Sequence, residues 1–205
     1  MTHLPQTAIA TATKHLRDIL SLAIEYHPSQ AALVVSDAQC ALAVALTQAY
    51  RICLPAARCI DFDAVSPEEV LAAIDQLTPD DLVVLIQSTN FRLEAYRIRI
   101  ELFNRSLKVI EHPHLSRMQA AEALRYIEAL AYDITYYREV GHALKKRIDQ
   151  AQSGTLDSGG EQLFFNAPFE PAKLNIGDYR AMKNVGGQFP IGEVFTESKD
   201  LESVN

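Results

Sequence analysis

Four short apolar runs, each separated from the next by a helix-like segment, constrain the fold of this chain more than any other feature. The runs have the length of strands and are apolar throughout, without an alternating polar face. Strands of this kind are typical of parallel sheets that helices cover on both faces. The sequence therefore predicts an α/β fold, a three-layer α/β/α domain whose mainly parallel sheet uses residues 31–36, 58–62, 82–87 and 107–111.

Helix signals lie between and around these runs. Ser66 is a predicted N-cap, because Pro67 suits the first helical position and Glu69 follows the cap at the spacing of a capping box. An alanine-rich helix led by Asp37 is predicted after the first strand. The helices are predicted at residues 13–26, 37–52, 66 onward and 91–104.

Two helical stretches follow the fourth run, and either Asp133 starts the second or the two form one continuous helix. Lys145, Lys146 and Arg147 fall in the last turn of this second helix, where cations suit the helix dipole. A solvated helix end is therefore favoured over a binding patch. The second helix also has an apolar stripe at helical spacing, formed by Ile134, Tyr137, Val140, Leu144 and Ile148.

Glycine is confined to the last third of the chain. All eight glycines lie at or after Gly141, so the first 140 residues contain neither a G-x-G-x-x-G nor a P-loop motif. The change in composition predicts an α/β domain over 1–150 and a β-rich segment over 151–205. A hairpin is expected around Gly159-Gly160.

Composition excludes several classes of protein. A net charge of -7 disfavours nucleic-acid partners, and no apolar run approaches the roughly 20 residues of a membrane span. The N-terminus lacks the pattern of a secretory signal. Three cysteines without C-x-x-C spacing suit reduced thiols in a cytoplasmic protein. We interpret Cys40, Cys53 and Cys59 as small core residues rather than nucleophiles.

Polar residues follow the predicted strands, at the edge where parallel sheets bind their ligands. His112 and His114 could hold a metal from one side of an extended segment, or could be structural or solvated histidines. The other polar residues at this edge are Ser36, Asp37, Asp61, Asp63, Ser88, Thr89 and Asn90.

The segment 184–197, NVGGQFPIGEVFTE, contains the principal candidate residue, Glu193. If residues 189–195 are extended, Glu193 shares one side with Phe189, Ile191 and Phe195. A carboxylate in such surroundings must be neutralised, paired or bound to a metal. The alternative is a β-turn with an exposed glutamate, because proline and glycine both loosen the register.

Residues 190–196, preceded by Asn184, resemble the N…P-x-G-E-V-[FY]-T signature of the thermophilic-type metallo-aminopeptidases, the aminopeptidase T and leucyl aminopeptidase group. The resemblance implies an N-terminal α/β domain, a catalytic domain with a divalent metal of the Zn, Co or Mn class, and a homodimer. It also implies that Glu193 is the first metal ligand. Ring-cleaving 2,5-dihydroxypyridine dioxygenases are related to this group.

Two departures from the signature indicate a divergent subfamily. Residues 186–188 lengthen the spacing after Asn184, and Glu197-Ser198 stands where the family usually has Ala-Pro. We expect the remaining metal ligands beyond Asn205, and Arg180 and Lys183 either neutralise carboxylates or lie on the surface.

The leading hypothesis is the N-terminal portion of a metal-dependent hydrolase that cleaves peptides or another small substrate with a metal-activated water. The alternatives are a non-haem iron ring-cleaving dioxygenase and a non-catalytic interaction or dimerisation module.

Overall fold

The chain forms two compact units. The computed structural model describes residues 3–93 and 96–199 of the 205. The first unit comprises Met1–Tyr132 and Gly177–Pro190, and the second comprises Asp133–Ile176 and Ile191–Asn205. The division therefore lies at residue 132 instead of the predicted 150, and a later segment returns to the first unit. The second unit begins with the helix Ile134–Gln150, because this helix packs on two strands of that unit.

The helices and strands follow the alternation expected of an α/β chain. A π-helix (Ile19–Ala23) extends the first α-helix, and a 3-10 turn (Leu115–Arg117) follows the sixth strand. In chain order the other elements are α1 (Gln6–Asp18), β1 (Ala32–Ser36), α2 (Ala41–Cys53), β2 (Arg58–Asp61), α3 (Pro67–Ile74), β3 (Leu82–Ile86), β4 (Arg92–Leu93), β5 (Tyr96–Arg97), α4 (Ile98–Asn104), β6 (Lys108–His112), α5 (Ala120–Ala129), α6 (Ile134–Gln150), β7 (Gly154–Asp157), β8 (Gln162–Phe165), β9 (Lys173–Asn175), β10 (Gly186–Gln188) and β11 (Glu193–Phe195).

A five-stranded, wholly parallel sheet organises the first unit, in the order β10-β6-β3-β1-β2. The predicted α/β class and the four predicted strands are confirmed. The chain passes from β1 to β2 on one side and then to β3 on the other, so the strand order reverses between β1 and β3. In sheets of this type that point is the usual position for a ligand.

Each face of the sheet is buried by its own set of helices. Leu33, Val83 and Val109 point to the face covered by α3 and α4, where they join one apolar core. The alternate residues Val34, Val84 and Ile110 are also buried, on the opposite face. Because both faces are covered, the strands are apolar throughout, which explains why they lack a period-two pattern.

Strand β10 is the element of this sheet that the sequence did not predict. It comes from the glycine-rich region and pairs in parallel with β6. Gly186 has φ +102, and a Cβ there would lie 1.9 Å from the carbonyl oxygen of Val109. Only glycine allows this approach of the two backbones.

Several predicted helix boundaries were wrong. Helix α1 begins at Gln6, well before residue 13. Helix α2 begins at Ala41 because the carboxylate of Asp37 holds the backbone of Gln39 in a turn (3.1 Å), leaving Cys40 as N-cap. The helix predicted from 91 begins at Ile98, since β4 and β5 pair first; residues 94–95 lie outside the described residues. None of the described helices is long and apolar enough to cross a membrane.

The second unit consists of α6, the antiparallel hairpin β7–β8 and the antiparallel pair β9–β11. The hairpin around Gly159-Gly160 is confirmed, as is the start of α6 at Asp133, whose Oδ1 accepts from the amide of Tyr136 (2.9 Å). The predicted apolar stripe is only partly buried. Helix α6 packs on β9 and β11 with its Tyr137–Gly141–Lys145 face, which leaves Val140 and Leu144 exposed.

Candidate functional site

Glu193 lies at the start of β11, directly after a turn that the sequence signature forms. Gly192 has φ +124, and a Cβ there would lie 2.6 Å from Cε1 of Tyr137. The amide of Gly192 donates to the carbonyl oxygen of Asn175 (2.8 Å), and β11 then pairs with β9. The backbone before Glu193 is thus held by packing against α6 and by a hydrogen bond to the β9 end.

The expected apolar surroundings of Glu193 were wrong. Phe189 is buried in the first unit and Ile191 in the second, whereas Glu193 is exposed and Phe195 is 46% exposed. The backbone bends at residues 189–190 and Gly192 has a positive φ, so the extended conformation is interrupted and the period of two does not run from Phe189 to Phe195. Of the alternative considered for this segment, a β-turn with an exposed glutamate, the exposure is observed, and Glu193 itself is the first residue of β11.

The carboxylate of Glu193 is a single candidate ligand. Within residues 3–93 and 96–199 it forms no ion pair or hydrogen bond through its side chain. In the same ranges no group of three His, Cys, Asp or Glu side chains could hold a metal ion. A catalytic metal needs about three protein ligands, so the described residues do not complete such a site.

Polar side chains do converge where the sheet order reverses, between the carboxyl ends of β1 and β3. Asp37 is 3% exposed, and its carboxylate accepts hydrogen bonds from the amide of Ser88 (2.7 Å), the Ser88 hydroxyl and the amide of Gln39 (3.1 Å). Ser88 Oγ also lies 3.1 Å from Sγ of Cys40. These groups satisfy one another, so Asp37 serves to join the two loops.

The remaining polar residues at this edge form local contacts. Gln39 donates to both carboxylate oxygens of Asp63 (3.1 and 3.0 Å), and Asp61 accepts from the amide of Asp63 (3.1 Å). Thr89 and Asn90 are exposed. The sequence placed these residues at the correct edge of the sheet, where the described side chains bind one another in local pairs.

The two histidines of the predicted pair have different surroundings. His114 is half-buried and has φ 58, whereas His112 is fully buried on β6. The Tyr126 hydroxyl donates to the carbonyl oxygen of Phe189 (2.7 Å), so it accepts from Nδ1–H of His112 (2.8 Å). Nε2 of His112 then accepts from the hydroxyl of Tyr50 (2.8 Å). Both ring nitrogens are used, which makes His112 structural.

Burial keeps the imidazole of His112 neutral. Loss of solvent lowers its pKa to about 3. The same loss of solvent raises the pKa of Tyr50 and of Tyr126, so both phenols remain protonated. The network ties α2 and α5 to the chain just after β10 through three neutral side chains.

A second buried network was not predicted. Glu111 on β6 is 8% exposed, and its two carboxylate oxygens accept from Gln87 (2.9 Å) and Arg99 (3.0 Å). Gln87 in turn accepts from the amide of Phe91 (2.8 Å). The signal was an acidic residue ending an apolar run, which in a buried strand requires a partner.

The cysteines are free thiols, but not all of them are core residues as predicted. Cys40 is the N-cap of α2, with its sulfur accepting from the amide of Ala43 (3.4 Å), and Cys59 is exposed on the edge strand β2. Cys53 is half-buried, and burial raises the pKa of its thiol.

The predicted surface cations are exposed or paired. Lys183 is exposed, and Arg180 pairs with both carboxylate oxygens of Asp178 (2.7 Å each), which raises the pKa of the guanidinium. Lys145 is half-buried, because its Nζ donates to Asp149 (2.9 Å) and to the carbonyl oxygen of Ala172 (2.5 Å). Lys146 and Arg147 are exposed.

Two cavities formed by described residues of the first unit lie at the amino ends of strands, opposite the polar edge. One of about 380 Å³ is lined by residues that include Tyr26, Gln30 and Arg58. Another of about 200 Å³ lies beside Lys108, whose Nζ donates to the carbonyl oxygen of Glu25 (2.8 Å) just after the π-helix. Lys108 thus binds the negative end of a helix dipole.

No family model matches this chain, and neither a curated protein nor a solved structure is significantly similar to it. The α/β class therefore rests on the fold itself, and function has to be argued from the side chains.

Proposed function

We propose that this chain is the N-terminal portion of a metal-dependent hydrolase, to which it contributes the α/β unit and one metal ligand, Glu193. The observation that carries the proposal is the presentation of Glu193. Its carboxylate is exposed and unpaired within the described residues, on a strand whose preceding turn is fixed. The signature resembling the metallo-aminopeptidases thus coincides with a local structure suited to a ligand.

Fixed backbone geometry supports a ligand role because metal sites require preorganised donors. Gly192 cannot be replaced without displacing Tyr137, and the hydrogen bond from its amide to the carbonyl oxygen of Asn175 sets where β11 begins. A carboxylate oxygen is a suitable donor for divalent ions of the Zn, Co or Mn class. When bound, such an ion lowers the pKa of a coordinated water and polarises a carbonyl group.

The proposal requires donors from outside the described residues, because these residues supply Glu193 alone. We therefore assign no catalytic step to any other side chain of this chain. The substrate class, peptides or similar small amides, follows from the resemblance of the signature only.

Metal content tests the ligand role directly. We expect the protein, purified at its native length, to contain about one divalent ion per chain by elemental analysis, and Glu193→Gln to lose most of it. Glu197→Gln is the matched control, since Glu197 is also exposed and lies four residues further on. Hydrolysis of aminoacyl anilides should fall in parallel with the metal.

Full metal content in Glu193→Gln, or an absence of metal from the native-length protein, would contradict the proposal. The second result would favour a non-catalytic interaction module. That candidate is supported by the large exposed apolar residues of the second unit, which include Tyr136, Leu156 and Phe164.

A further inference from the structure

Helix α6 carries an exposed apolar stripe beside the face that packs on its own unit. Tyr136, Val140 and Leu144 lie at positions i, i+4 and i+8, and they are 60%, 46% and 44% exposed. Residues at this spacing line one face of a helix. The adjacent face, Tyr137–Gly141–Lys145, lies about 100° further round the helix and is the one that packs on β9 and β11. Apolar side chains aligned in this way are typical of a surface that another helix covers.

The charges at the two ends of this stripe have opposite sign. Asp133 lies seven residues before Val140, and Arg147 lies seven residues after it, each about two helical turns from the centre. Both residues are exposed, and both fall on the face of the stripe. Along this face of α6 the residues are thus acidic at the start, apolar in the middle and basic at the end.

This order makes the stripe complementary to a second copy of itself. If two α6 helices pack antiparallel with their Val140 residues at a two-fold axis, each Tyr136 faces a Leu144 of the other copy. Each Asp133 then faces an Arg147, and the helix dipoles oppose one another. A parallel pair would instead place Arg147 against Arg147 and Asp133 against Asp133, which is repulsive.

We propose that the stripe Tyr136–Val140–Leu144 binds a second copy of this chain, with the two α6 helices antiparallel. The inference goes beyond the proposed metal ligand and does not depend on it, because no residue of the stripe belongs to the turn that presents Glu193. A standard stable interface buries about 1,600 Å² in total. One helix pair covers only part of that area, so the dimer should dissociate on dilution.

The mass of the chain in solution tests the proposal. Sedimentation equilibrium over a concentration series should give twice the mass of one chain at the upper end. Val140→Glu places two carboxylates together at the axis and should weaken association at least about tenfold. Leu124→Glu is the matched control: it alters a 40% exposed leucine on α5 in the first unit and should leave the mass unchanged. Circular dichroism would confirm that both variants remain folded.

Cysteine cross-linking tests the orientation, in a Cys59→Ser background that removes the exposed thiol. Under mild oxidation Val140→Cys should cross-link to itself. Tyr136→Cys and Leu144→Cys should cross-link to each other when mixed, and much less when each is alone. Cross-linking of each with itself would indicate a parallel pair and overturn the proposal. A single-chain mass at every concentration, or a dimer that Val140→Glu leaves intact, would also overturn it.

Discussion

The two units bury their apolar residues to very different extents. In the first, strands β1, β2, β3 and β6 are 0–8% exposed at their apolar positions, apart from Cys59, and helices cover both faces. In the described part of the second, the buried apolar side chains are Ala172, Ile176 and Ile191. Large apolar residues of α6 and of the β7–β8 hairpin are exposed there. The first unit therefore has a complete core of its own, and the second has a surface suited to association.

Leucine-to-alanine substitutions in the two units test whether the first unit alone has a complete core. Leu85→Ala removes a fully buried side chain from the central strand β3 and should lower the free energy of unfolding by about 2–5 kcal/mol. Leu144→Ala alters a side chain that is 44% exposed and should change the free energy of unfolding by about 0.5 kcal/mol or less. Urea unfolding at a concentration where the chain is monomeric measures both. Equal losses would show that the second unit has a core of its own.

The fold of the first unit was predictable because its strands are buried on both faces. Apolar runs of strand length, such as 82–87, are typical of covered parallel strands, and Ser66-Pro67 marks a helix start by local chemistry alone. Strand β10 was not predictable, because its pairing depends on a close approach to Val109 that is distant in sequence. The start of α2 was missed because Asp37 binds Ser88, fifty-one residues away.

The candidate site was harder to predict than the fold. The residues after the strands were placed at the correct edge, but the sequence does not show that Asp37 and Ser88 satisfy each other. The predicted alternation of side chains around Glu193 was wrong because the backbone bends at residues 189–190 and Gly192 has a positive φ, and a period of two holds only within one strand. On α6, the predicted helical period was correct, but the predicted buried face was wrong. Gly141, and not Val140, lies against the strands.

The pH dependence of stability should also differ between the two units, because the buried histidine, His112, belongs to the first. The pKa of His112 is about 3 when folded, against 6.5 for an unperturbed histidine. The unfolded chain therefore binds a proton that the folded chain does not between these values, and stability falls as the pH drops below 6.5. At pH 5 the loss should be about 2 kcal/mol relative to pH 8.

His112→Gln is the matched variant, because glutamine does not titrate. Its stability should lack the part of the pH dependence between pH 4 and 6.5 that the wild type shows. Hydrogen bonds lower the pKa of Asp149 and of Asp157 in the second unit from 3.8. These carboxylates therefore affect the stability only at lower pH than His112 does. Urea unfolding at several pH values measures the difference, and identical pH profiles for the two proteins would contradict a neutral, buried His112.

The smallest effects distinguish the two helix starts. Ser66 and Asp133 both accept a hydrogen bond from the amide three residues on, at 3.3 and 2.9 Å. Ser66→Ala and Asp133→Ala should each cost about 1 kcal/mol, the first in the unfolding of the first unit and the second in that of α6. Hydrogen exchange, followed by mass spectrometry, assigns each loss to its unit.

Asp133→Asn separates the cap from the charge. Asparagine caps a helix about as well as aspartate, so the stability of α6 should be retained. The substitution nevertheless removes the carboxylate that faces Arg147 in the antiparallel dimer. Two exposed ion pairs contribute roughly 0.4–2 kcal/mol together, so dimerisation should weaken by about 2- to 30-fold, and less at high salt. Unchanged association in Asp133→Asn, with Val140→Glu still disruptive, would mean that apolar contact alone holds the two copies and that the end charges do not set their orientation.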